Sequence, residues 1–185
     1  MKPIYAHAGD VFFTHSESLL GKLIRWTETD PGEEPTWANH TGVVVESGWI
    51  GERDPLAIQA VVIEALWKTR KGPLKVNGIE VRVFGPIPVY GEEELAAFRA
   101  EAETYVGDTY GWWKLLFHAA DRAIFKGRKI FSLMLHKDKR PICSYLAAKV
   151  CAVVGSTFGV DPQAADPDEM LDYCVANADE WEERQ

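Results

Sequence analysis

A chain of 185 residues, 46% apolar and 26% charged, is long enough to bury the core of one domain without help from a disulfide or a metal. Its formal net charge of −8 excludes the overall basic face of a general nucleic-acid binder. The three cysteines, at 143, 151 and 174, contain no C-x-x-C pair, which argues against a disulfide framework and against a zinc ribbon.

The N-terminus, MKPIYAHAGDVFF, lacks the unbroken apolar stretch of a secretory signal, and no 18-residue window is free of charge. A cytoplasmic chain, or one exported without a visible signal, is expected, with no transmembrane segment. GDVFFTHS (9–16) reads as a short strand after a Gly-Asp turn, and SLLGKLIRW (18–26) brings Leu19, Leu20, Leu23 and Ile24 to helical spacing. ETDPGEEPTWAN (28–39) is a loop by its Pro, Gly and Asp content, its acidity that of a solvated rim. HTGVVVES (40–47), AIQAVVIEALW (57–67) and GIEVRVFGP (78–86) are rich in Val and Ile and bounded by Gly, Pro or Asp, so each predicts a strand. Their short connections favour antiparallel neighbours. Helices are expected over 92–107, which opens on acids and ends at Gly107, over 111–127, over 143–155 and over 166–178, which opens on Asp-Pro. With no internal repeat or low-complexity tract, strands first and helices later read as a single α+β domain over 1–185.

The cysteines differ in position. On 143–155, Leu146, Val150, Val153 and Val154 form one apolar stripe, and Pro141 places the helix start close to Cys143. A thiol in a first helical turn meets free N–H groups and the positive end of the dipole, and both favour the thiolate. Cys151, mid-helix, and Cys174 read as apolar fillers.

A thiol nucleophile needs a base and a group that orients the base. His40 opens the strand HTGVVVE, with Gly42 on the same face leaving space beside the ring; a polar residue capping a strand is the other reading of a lone histidine. Glu64 is the single carboxylate of the apolar run AVVIEALW, and a charge there is costly unless paired. An antiparallel register with 40 opposite 64 would let Glu64 accept from one imidazole nitrogen and leave the other for sulfur, whereas a slip of one residue would separate them onto opposite faces.

GDVFF, NHTGVVVE, VIEAL, YVGDTYGW and ICSYLAAKV occur in an order that resembles the circularly permuted papain-like hydrolases, the YiiX-like branch of the NlpC-type superfamily, related to lecithin retinol acyltransferase-like proteins. The resemblance covers roughly residues 8 to 175. It implies a papain-like fold in permuted order, antiparallel sheet first and nucleophile-bearing helix after it. It also implies a cysteine hydrolase, peptidase, amidase or acyltransferase, with Cys143 as nucleophile, His40 as base and Glu64 as the orienting member. Tyr110 resembles a tyrosine near the active site of that branch, where its phenol would help the Cys143 N–H hold an oxyanion; aromatic packing beside Trp112 is its other reading. The implied substrate is a cell-wall peptide or a lipid-like acyl compound, cleaved at an amide or ester bond through an acyl-enzyme.

The stretch 111–140 combines aromatic and aliphatic residues with Lys126, Arg128, Lys129, Lys137, Lys139 and Arg140. Such content suits contact with an anionic surface or an acyl chain, and equally a core helix whose basic side chains snorkel to water. Two rival functions remain at this level. One is a non-catalytic ligand- or lipid-binding module on the same scaffold. The other is a metal site drawing on His7, His15 and His40, for which no H-x₃-H or H-E-x-x-H spacing exists. No cofactor and no metal are expected.

Overall fold

The computed structural model describes residues 2–17, 21–22, 25, 37–52, 54, 56–109, 142–163 and 165–185. The expected helix at 111–127, most of 18–26 and of the acidic loop, Tyr110 and the six basic residues of 126–140 lie outside the described residues.

Six strands form one antiparallel sheet in the order β6-β5-β3-β2-β7-β8, with β2 Val11–His15, β3 His40–Glu46, β5 Val61–Ala65, β6 Thr69–Pro73, β7 Glu80–Pro86 and β8 Trp181–Glu183. A second, two-stranded sheet pairs β1 (Ile4–Ala6) with β4 (Gly48–Ile50). Among the described residues three helices lie between β7 and β8 in the chain: α1 Glu92–Thr104, α2 Cys143–Val153 and α3 Pro167–Ala176. The mixture is α+β with antiparallel sheets, as the sequence predicts.

Alternation along the strands separates two apolar layers. Val11, Phe13, Val43, Val45, Ile63 and Phe84 face the helices and pack with Phe98 of α1, Leu146, Ala147, Val150 and Cys151 of α2, and Met170 and Leu171 of α3. Phe12, Val44, Val62, Val81 and Val83 point the other way, onto Ile4, Ala6 and Ile50 of the small sheet. The central strands are therefore buried on both faces, which is why their sequence runs as near-continuous Val, Ile and Phe rather than alternating with polar residues.

Each helix starts where its chemistry allows. Glu92, Glu93 and Glu94 fill the first turn of α1, and Glu94 accepts from the Gly91 N–H at 2.7 Å. Asp166 caps α3, accepting from the N–H groups of Asp168 and Glu169, with Pro167 in the first helical position. The start of α2 carries Ile142 as its cap residue, with no side-chain acceptor. Its buried face uses Leu146, Ala147, Val150 and Cys151; Val153, expected on the apolar stripe, is 49% exposed because the helix ends there, ahead of Gly155 in the left-handed region at φ +79°.

Several boundaries depart from expectation. The predicted strand 57–67 contracts to Val61–Ala65, and a separate strand, β6, follows after a short turn. The short strands β1, β4 and β8 carry too few residues for a period to be read. The register between β3 and β5 sets Gly42, not His40, opposite Glu64, with an irregularity between Val44 and Glu46.

The C-terminal strand is fastened by charge. Asp10, 1% exposed, accepts from the His7 N–H at 2.8 Å and from Arg184 Nε and Nη2 at 3.2 and 3.1 Å. Gly85 leaves the room that the Arg184 guanidinium fills. Arg184→Ala strands a buried carboxylate, and chemical denaturation should register a loss of about 3 kcal/mol; an unchanged midpoint would contradict the fastening. Gly42 is required for a different reason. A Cβ there would come within 2.7 Å of the Ile63 carbonyl oxygen and of Phe12 Cζ. Gly42→Ala must open the β3–β5 ladder or displace the Phe12 ring, and it is expected to cost about 1–3 kcal/mol in the same assay.

Candidate functional site

Cys143, His40 and Glu64 come together. His40 is the first residue of β3, Glu64 the last but one of β5, and Cys143 the first residue of α2. His40 and Gly42 lie on one face of β3, and Glu64 stands opposite Gly42, so imidazole and carboxylate meet diagonally rather than directly across the strands. The slip from the expected register is two residues, which preserves the face. His40 Nε2 lies 2.7 Å from Glu64 Oε2, with the two side chains 15% and 3% exposed.

The imidazole also stands beside the Cys143 thiol and acts on it through hydrogen bonding and charge. The backbone amides of Thr41 and Ser144 lie beside the same sulfur and favour its thiolate. Burial alone would raise the Cys143 thiol pKa, but the hydrogen bond and charge of His40, with those two amides, outweigh it and hold the thiol below its ordinary value. For His40, burial works against the cation, while the bonds to Cys143 and Glu64 push it up to about 10. Both directions favour a thiolate–imidazolium pair. Cys143 is 4% exposed.

The segment entering β3 is held from two sides. The N–H groups of Trp37 and Ala38 donate to Asp168 Oδ1 at the start of α3, at 2.9 and 3.2 Å, and Asn39 Nδ2 donates to the Ser16 carbonyl at 2.9 Å. Thr41 Oγ1 donates to the Phe12 carbonyl at 2.8 Å. The space that Gly42 was expected to leave beside the imidazole is filled by the Phe12 ring, edge-on to His40 with centroids 6.2 Å apart. The ring orientation is set by packing as well as by hydrogen bonds.

Sequence reasoning missed Arg70. It stands directly opposite Glu64 on β6, and its Nη2 donates to Glu64 Oε1. Burial would raise the Glu64 carboxyl pKa, yet His40 first and Arg70 second keep it below the usual carboxylate range. A lone carboxylate in an apolar strand demands a cation, and an arginine six residues later across a short turn was the available signal. Cys151 and Cys174, 0% and 1% exposed, are core residues, and burial pushes both thiols up. The chain just before Tyr110 runs beside the start of β6, where Thr109 bridges Lys68 and Thr69 N–H donates to the Asp108 carbonyl at 2.8 Å.

The histidines weighed as metal ligands do not assemble. His15 bonds the Trp37 carbonyl and Glu17, and His7 stacks edge-on against Tyr5. Among the described residues no group of three or more His, Cys, Asp or Glu is positioned to hold an ion, and no helix is long and apolar enough to cross a membrane.

No family model matches the chain, and no curated protein matches it. Among solved structures, the crystal structure of the metalloprotein YiiX from Escherichia coli O157:H7, of the family DUF1105, is similar to it. The two are 21% identical, the match covers 83% of this chain and 69% of that one, and the TM-score is 0.52. At that identity the likeness speaks for architecture alone: the chain has a YiiX-like α+β fold.

Proposed function

We propose that the chain is a cysteine-dependent hydrolase or acyltransferase of amide or ester bonds, papain-like in a permuted order. The observation that carries this reading is His40 held between the Cys143 thiol and the buried Glu64 carboxylate. A small thiol needing only to fill space requires neither partner.

The Cys143 thiolate adds to the substrate carbonyl carbon, and the carbonyl π pair moves onto oxygen. The N–H groups of the first turn of α2, unoccupied by any side-chain cap, are the donors nearest that developing charge, with the Tyr110 phenol as a second donor carried over from the resemblance. The tetrahedral adduct collapses, the bond to the leaving nitrogen or oxygen breaks, and the imidazolium gives that atom its proton. Neutral His40 then takes a proton from water, or from an acceptor hydroxyl or amine, as it attacks the thioester. Expulsion of the thiolate restores the ion pair. Glu64 accompanies the imidazolium cation through both halves.

YiiX is named a metalloprotein. In this chain His40 Nε2 is committed to Glu64 and the ring also stands beside the Cys143 thiol, so thiol chemistry rather than a metal-bound nucleophile is the reading supported here.

The test is alkylation by iodoacetamide with mass mapping across pH. Because the Cys143 pKa is lowered, Cys143 is expected to react well below pH 8 while Cys151 and Cys174 stay inert. Cys143 with ordinary-thiol reactivity would instead leave a binding module. His40→Ala should remove the low-pH advantage. Acyl transfer needs thiolate and imidazolium together, so its rate should rise as Cys143 ionises and fall again near pH 10, where His40 loses its proton. Glu64→Gln should lower turnover of a reporter thioester or ester about 100-fold with the fold retained. Dialysis against a chelator should leave the alkylation profile unchanged, and a profile that collapses on metal removal and returns with added zinc would overturn the thiol reading.

A further inference from the structure

We propose that Arg70 is a positioning residue for the Cys143–His40 pair: it holds the buried Glu64 carboxylate ionised and aimed at His40 Nε2. The inference rests on the cysteine reading above and extends it by one strand. Contacts run continuously across four neighbouring elements, from Cys143 on α2 to His40 on β3, Glu64 on β5 and Arg70 on β6.

Three observations separate this from an incidental surface ion pair. The carboxylate is 3% exposed, so its charge is taken from water and must be answered by protein groups. Its oxygens are divided, Oε2 to His40 and Oε1 to Arg70, so a carboxylate turned toward either partner alone would forsake the other. Arg70 is itself 31% exposed at the side chain, and on an edge strand it could have hydrated its head freely; instead its guanidinium faces inward, with Nε buried and without a hydrogen-bond partner among the described residues. Among the described residues, the groups facing Glu64 are these. β3 contributes His40, β6 contributes Arg70, and the small sheet packs this face of the large one with apolar Ile4, Ala6 and Ile50. Lys71, next along β6, is engaged with Glu103 and Glu46.

The arithmetic of charge gives the role. A thiolate, an imidazolium and a carboxylate sum to one buried negative charge, and Arg70 brings the set to neutrality. Without it, Glu64 has only His40 to oppose the cost of burial, so it gains a proton or turns toward solvent. In either case the imidazolium loses the negative charge that faces it and is weakened as the counter-ion of the thiolate, so the pH at which the thiolate forms moves upward.

The experiment is the alkylation profile of Cys143 in five proteins: native, Glu64→Gln, Arg70→Gln, Arg70→Lys and Arg70→Gln combined with Glu64→Gln. The midpoint for Arg70→Gln should lie about one pH unit or more above native. Arg70→Lys, which keeps a cation, should fall closer to native. In the Glu64→Gln background, adding Arg70→Gln should move nothing further, because Arg70 acts through that carboxylate. Arg70→Met, which keeps the aliphatic stem, takes the place of Arg70→Gln if the latter does not fold. An unchanged midpoint in the neutral variant, or an equal shift with Glu64 already replaced, would overturn the role of Arg70 while leaving the thiolate pair standing. Ordinary-thiol behaviour of native Cys143 would overturn the underlying reading and the positioning role with it.

Discussion

Everything around this site follows from a carboxylate placed inside a sheet. Glu64 belongs to a strand whose other residues are Val, Ile and Ala, in the middle of a ladder flanked on both sides. A charge so placed is tolerable only when neighbouring strands supply cations or donors at the right register. β3 supplies His40 and β6 supplies Arg70, and neither ladder could slip by one residue without sending its partner to the opposite face. The registers on both sides of β5 are thus specified by electrostatics as well as by the apolar alternation, and the imidazole has its direction before any thiol arrives.

The thiol is supplied from a different layer. α2 packs through Leu146, Ala147, Val150 and Cys151 on the helix-facing side of the sheet, while His40 and Glu64 share the face of Phe12. The meeting point is the place where β3 begins, because there the first residue of the helix can reach the first residue of the strand and the Thr41 amide. The same residue type gives opposite chemistry a few turns away. Cys151 sits on the same helix, wholly buried, with no imidazole and no free amides, so burial alone governs it and the proton stays on. Position within the helix decides which cysteine is acidic.

This difference is also what made the site legible in the sequence. A cysteine two residues after Pro141, a histidine opening a Val-rich strand and one glutamate inside an apolar run are each anomalies that folding alone does not require, and the three do assemble. The exact pairing was less accessible: a displacement of two residues keeps the face, so pattern cannot distinguish His40 from Gly42 as the residue opposite Glu64. Arg70 was hidden for a related reason. Thr-Arg-Lys-Gly-Pro has the composition of a turn, and as an edge strand it carries no apolar alternation to betray it. The three-residue strands β1, β4 and β8 are set by tertiary pairing, which no local window contains.

Support of the site comes from groups that take no part in its charges. The Phe12 ring lies edge-on to His40 and occupies the volume that Gly42 leaves, so a glycine in β3 and a phenylalanine in β2 together fix the imidazole plane. Asp168, in the first turn of α3, takes the amides of Trp37 and Ala38, 131 and 130 residues earlier in the chain, and so ties the approach to β3 onto that helix. Such long-range ties hold the imidazole still, and their ordering is completed during folding. Fixing an imidazole by a ring on one side, a carboxylate on another and a thiol on the third is the arrangement expected where a proton must move between defined atoms, and it is the physical ground on which the cysteine reading stands.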